Sequence, residues 1–127
     1  MTLGDKIRNR RLELQLLQKE VAVIIGVTED SITNWESNLC EPEVRYMPAI
    51  IKFLGYVPFT TDLTLFSEKL KYYRLLKGLT HQQMGKVLNV DGSTIGSWEI
   101  GNHKPHKNKL SHITKNLSVL LSNVKLE

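Results

Sequence analysis

With 127 residues, 41% of them hydrophobic, the chain has material for one ordinary globular domain or two very small ones. Its 17 Lys/Arg against 13 Asp/Glu give a formal charge of +4, which permits a polyanionic partner without requiring one. The single cysteine, Cys40, excludes an internal disulfide scaffold. The first six residues lack a signal-peptide core, and no run reaches the roughly 18 apolar residues of a membrane span, so a cytoplasmic location and no membrane partner are expected.

The first helix is expected to start at Thr2, with Asp5 three residues on as its capping-box partner and Leu3, Ile7 and Leu14 as its buried stripe. A second helix begins near Gln18 and is expected to bury Val21, Ile24 and Ile25 before Gly26 ends it. Thr28 can cap a third helix, in which Ile32 and Trp35, three residues apart, share the inner face. After a loop to Pro42, a fourth helix with Pro48 near its start buries Ile50, Ile51 and Leu54 and stops at Gly55. No segment keeps a two-residue alternation, so no strands are expected.

Past Thr64 the pattern begins again. Trp35-Glu36 recurs as Trp98-Glu99, an offset of 63. Without a gap, the same offset pairs Lys6 with Lys69, Arg11 with Arg74, Leu16 with Leu79, Val27 with Val90, Ile32 with Ile95 and Pro42 with Pro105. Chance rarely preserves so much over about 50 positions, so a duplicated unit is inferred. The expected organisation is a first domain at 1–57, a linker at 58–64 and a second domain at 65–127, each an all-α unit of four to five short helices.

The run Gln18-Lys19-Glu20-Val21-Ala22, Gly26-Val27-Thr28, Ser31-Ile32, Trp35-Glu36 and Pro42 closely resembles the Cro/repressor-type, or lambda-repressor-like, helix-turn-helix family. The second run, His81-Gln82-Gln83-Met84-Gly85, Asn89-Val90, Thr94-Ile95, Trp98-Glu99-Ile100-Gly101 and Pro105, resembles it more loosely. There Gly85 and Asn89 stand for the family's small Ala and turn Gly, and His81 for its usual Gln; in the first run Asn38 stands where the family usually has Gly. The resemblance implies two tandem copies of the fold, each with its third helix in a DNA major groove.

With Ile32 and Trp35 inward, 100° per residue turns Asp30, Thr33 and Asn34 outward with Glu29 on the flank. These four match the positions that the family uses to read bases. Their counterparts are Gly92, Ser93, Gly96 and Ser97. Gln18 resembles the family's phosphate-anchoring Gln. Thr28, His81, Gln82 and Asp91 complete the candidate set around the two recognition helices. The resemblance further implies structural ion pairs Arg11–Glu36 and Arg74–Glu99. The two glycines, Gly92 and Gly96, either permit close backbone approach to DNA or mark a helix that no longer reads bases.

Charge divides the units. Residues 1–62 carry 7 Lys/Arg and 9 Asp/Glu, and residues 63–127 carry 10 and 4. The loop after the third helix is acidic and apolar in the first unit (Ser37 to Glu43). In the second it is basic, and Asn102, His103, Lys104, Lys107 and Lys109 are candidate phosphate contacts there. His103-x-x-His106 lacks further ligands, so no metal is expected. No nucleophile–base arrangement or phosphate-binding glycine loop is found; neither enzymatic activity, a cofactor nor a small-molecule substrate is expected. The apolar run Leu117 to Leu121 either packs within its own unit or meets a second copy in a homodimer.

The function expected is sequence-specific binding of double-stranded DNA by a transcriptional regulator acting through occupancy. The alternatives are a protein-interaction module of the same fold, or an antitoxin that binds DNA and a toxin.

Overall fold

The computed structural model describes residues 1–123. The last residues of the expected second domain, 124–127, lie outside the described residues. The chain divides into two compact units, the first spanning Met1–Phe59 and the second starting at Thr60. Each is helical, and no strand occurs among the described residues.

The first unit contains α1 (Leu3–Glu13), α2 (Gln18–Ile25), α3 (Glu29–Glu36), a 3-10 turn (Val44–Tyr46) and α4 (Met47–Leu54). Thr2 and Asp5 cap α1 reciprocally: the Asp5 amide donates to Thr2 Oγ1 at 3.0 Å and the Thr2 amide to Asp5 Oδ2 at 3.1 Å. Ile7, Val21, Ile32 and Ile50 are completely buried and meet at the centre, with Trp35, Phe53 and Leu54 around them. Lys6 Nζ fastens α1 to the end of the unit by donating to the Pro58 carbonyl at 2.6 Å.

Two core expectations fail here. Leu14 is 42% exposed, because α1 ends at Glu13 and Gln15 then turns left-handed (φ 58°), leaving Leu14 on the rim. Ile24 is 54% exposed. The buried face of α2 is instead Val21, Ala22 and Ile25, whose directions cluster within about 100° while Ile24 points well to one side.

The second unit contains α5 (Phe66–Lys77), α6 (His81–Leu88), α7 (Gly92–Glu99) and α8 (Lys107–Ser122). Leu70, Met84, Ile95 and Leu117 are completely buried, and Trp98 meets the Phe66 ring edge-on at 5.8 Å. Burial also pushes the Tyr73 hydroxyl above its ordinary pKa. Leu120 and Leu121 pack against this core while Val119 is 54% exposed, so most of the C-terminal apolar run is used inside its own unit.

Backbone conformation carries the 63-residue offset too. Left-handed residues occur at Gln15 and Gly78, at Gly26 and Asn89, and at Asn38 and Gly101. In each pair one unit uses glycine and the other does not. Asn38 holds that conformation with side-chain help: its carbonyl accepts from Thr2 Oγ1 at 2.7 Å and its amide donates to Asp5 Oδ1 at 3.2 Å.

Candidate nucleic-acid interface

In the first unit, α2 and α3 are joined by a turn through Gly26, whose φ of 88° suits only glycine comfortably. Thr28 then caps α3 by accepting from the Ser31 amide at 3.2 Å. Ile32 and Trp35 fix the inner face of α3 in the core, and its last residue is held by charge. Arg11 Nε and Nη2 donate to the two Glu36 oxygens at 2.7 and 2.8 Å, while Nη1 donates to the Leu16 carbonyl at 3.1 Å. The pair is largely removed from water, and the Glu36 hydrogen bonds hold Arg11 above the ordinary arginine pKa. A bidentate pair of this kind fixes orientation as well as distance.

Gln18 joins the same network. Its amide donates to Glu36 Oε1 at 3.2 Å, and its carbonyl accepts from Thr33 Oγ1 at 2.8 Å. The polar groups of both Gln18 and Thr33 therefore already have partners within the unit. Glu29, Asp30 and Thr33 are exposed and Asn34 partly so; among the described residues, the side chains of Glu29, Asp30 and Asn34 make no hydrogen bond or ion pair.

The second unit builds the same framework with other residues. Arg74 Nε and Nη2 donate to Glu99 at 2.6 and 3.0 Å, and Nη1 to the Leu79 carbonyl at 3.0 Å. His81 Nε2 lies 3.4 Å from Glu99 Oε1, the place Gln18 occupies beside Glu36. Thr80 caps α6 in a reciprocal box with Gln83.

An open hollow of about 520 Å³ lies between the start of α6 and α7. It is lined by His81, Gln82, Asp91, Gly92, Ser93 and Gly96. All six were singled out in the sequence, and the fold gathers them. A second hollow, about 480 Å³, is lined by Gly85, Lys86, Asn89, Val90, Asp91, Thr94 and Lys109. Neither Lys86 nor Thr94, which the sequence marks only as part of the family-like run, is a candidate contact from sequence, because only the placement of α8 brings Lys109 beside them.

The two glycines of α7 are not equivalent. A Cβ on Gly92 would lie 3.0 Å from the Gln82 backbone, so Gly92 lets α6 and α7 approach. Gly96 has nothing within 4 Å of its missing Cβ and leaves open backbone on the outer face.

Residues 7–61 match the family model described as helix-turn-helix. This segment is a helix-turn-helix domain. Over 106 residues the chain is also 29% identical to the type II methyltransferase M1.ScrFI of Lactococcus lactis subsp. cremoris. That alignment takes in 77% of this chain, more than either unit alone supplies, and 26% of the methyltransferase. No solved structure gives a significant match.

After α3 of the helix-turn-helix domain, the loop from Ser37 to Glu43 exposes Leu39 and Cys40 and is tied back to α1 through Asn38. The corresponding stretch of the second unit leaves Asn102, His103, Lys104, Lys107 and Lys109 exposed. Lys107 and Lys109 occupy the first turn of α8, which contains no acid. Cations there oppose the helix dipole, costing about 0.3–1 kcal/mol each at low salt, and a bound polyanion would relieve that cost. Among the described residues no group of three His, Cys, Asp or Glu is placed to hold a metal ion, and no helix is long and apolar enough to cross a membrane.

Proposed function

We propose that the protein binds double-stranded DNA in a sequence-specific way and regulates transcription by occupancy in the cytoplasm. In this reading the domains are 1–57 and 65–127, joined by 58–64, and the second unit is a second helix-turn-helix of the same type. The observation that carries it is α3 itself. Its back is fixed by Ile32, Trp35 and the Arg11–Glu36 pair, while Glu29, Asp30 and Asn34 face outward without partners. Such a rigid helix with free polar groups suits base edges: Asn34 can pair with adenine, and either acid can accept from cytosine N4.

Thr33 reads bases only by exchanging its bond to Gln18. Gln18 in turn meets phosphate from a position already set by Glu36. In the second unit the outer face is Ser93, Gly96 and Ser97, and the phosphate contacts fall to His81, Gln82, Asn102, His103, Lys104, Lys107 and Lys109. Thr28, Asp91 and Gly92 sit at the entrance to the two recognition helices and shape the approach. The methyltransferase likeness spans 26% of that enzyme, and its activity is not carried over.

The test is selection of the intact protein against a pool of random duplexes at low salt. The proposal expects an enriched motif, whose half-sites show whether one or both units read bases. Binding without enrichment would remove sequence specificity. Absence of binding would favour a protein-interaction module.

A further inference from the structure

The two hollows beside α7 flank one crest. Taking 100° per residue with Ile95 and Trp98 inward, Ser93 points outward with Gly96 and Ser97 on either side of it, while Gly92 lies on the flank beside Gly96 and Thr94 on the opposite flank. The His81 hollow contains Gly92 and Gly96, and the Lys109 hollow contains Thr94. Asp91 lines both, at the point where the crest begins.

A major groove about 12 Å wide is bounded by two phosphate backbones, so a helix within it has one strand on each side. Resting on the DNA-binding reading above, we propose that the second unit grips both strands. His81 and Gln82 face the phosphates of one strand, and Lys86, Lys109 and the Thr94 hydroxyl form a site for a phosphate diester of the other.

Three observations converge on this second site. Lys86 and Lys109 come from different helices, α6 and α8, yet line one hollow. Both are exposed, and neither makes an ion pair or hydrogen bond through its ammonium among the described residues. The Asp91 carboxylate is the acid lining the hollow, and it is not used to cap α7, so two cations face one anion.

The first unit has no such site. By the 63-residue offset, Val23, 82% exposed, stands for Lys86, and Tyr46 stands for Lys109. Tyr46 is spent on packing, with its ring centroid 5.8 Å from that of Trp35 and 4.7 Å from the Arg45 guanidinium above it.

The experiment measures duplex affinity against salt for the intact wild type, Lys86→Val, Lys109→Gln, the double variant and Asp91→Asn. Helix content and the melting curve are checked for each. Counterion release gives a slope of about 0.9 per phosphate contact, so each single variant should flatten the log–log slope by about 0.9 and the double variant by about 1.8. Asp91→Asn should tighten binding with the slope unchanged or steeper. If the wild type binds duplex but the double variant keeps its slope, the two-strand grip is overturned while DNA binding stands. If the wild type shows no binding at low salt, the underlying reading fails, and this one with it.

Discussion

In the first unit the Glu36 carboxylate holds Arg11 and also Gln18, which in turn accepts from Thr33. In the second, Glu99 holds Arg74 while His81 stands where Gln18 stood, and Gly96 replaces the hydroxyl that would have extended the chain. The buried ends of the two networks agree to within a few tenths of an ångström. Their solvent ends share little. Burial fixes the arginine–glutamate geometry because a stranded charge is costly, whereas the outer face is free to vary with what it touches.

The sharpest way to separate the units uses their single tryptophans, Trp35 in one core and Trp98 in the other. With the second tryptophan replaced by Phe, each reports one unit's unfolding in the full chain. Glu36→Ala and Glu99→Ala should each destabilise their own unit by about 3–5 kcal/mol in denaturant titrations. Equal loss in both transitions from either variant would deny that the units unfold separately.

A smaller effect tests packing between corresponding helices. Ala22 is buried in α2, and its counterpart in α6 is Gly85. A Cβ on Gly85 would lie 2.4 Å from the Val90 carbonyl oxygen, so the turn is closer there. Gly85→Ala, though it copies the first unit, should cost about 1–3 kcal/mol in the Trp98 transition. A stabilised variant would mean that the turn can retreat.

Left-handed positions give the next comparison. Gln15 and Gly78 share that conformation at φ 58° and 68°. Gln15→Gly should raise the stability of the first unit by about 0.5–1 kcal/mol, and Gly78→Gln should lower that of the second by a similar amount. A melt that ranks them the other way would show that backbone entropy outweighs the strain.

The smallest effect concerns acid. The Thr2 amide, and after it the Asn38 side chain, hold the Asp5 carboxylate below the ordinary value. Because the folded pKa is depressed, that stabilisation is present above the unfolded value, about 3.9, and is lost as the pH falls through the folded one. Asp5→Asn should flatten the low-pH loss of the Trp35 transition and leave that of Trp98 alone.

Much of this was legible in the sequence because caps and left-handed turns are local. Thr2, Thr28, Gly26 and Gly55 mark helix boundaries through their own chemistry. The Arg11–Glu36 and Arg74–Glu99 pairs span 25 residues and came from family resemblance. Leu14 and Ile24 were misplaced because an apolar residue beside a helix end or on a flank has the same periodicity as a buried one. Lys86 and Thr94 stayed hidden because their significance depends on Lys109 arriving from another helix. Gly92 and Gly96 look alike in sequence and differ only in what lies beside them.

Backbone amide shifts of the intact protein, followed by NMR during titration with a short duplex at low salt, test the central claim most directly. The account predicts that perturbations concentrate at residues 18 and 28–34 in the first unit and at 81–82, 86, 91–97 and 102–109 in the second. Perturbations confined to α1 and α5, with α3 and α7 silent, would contradict it.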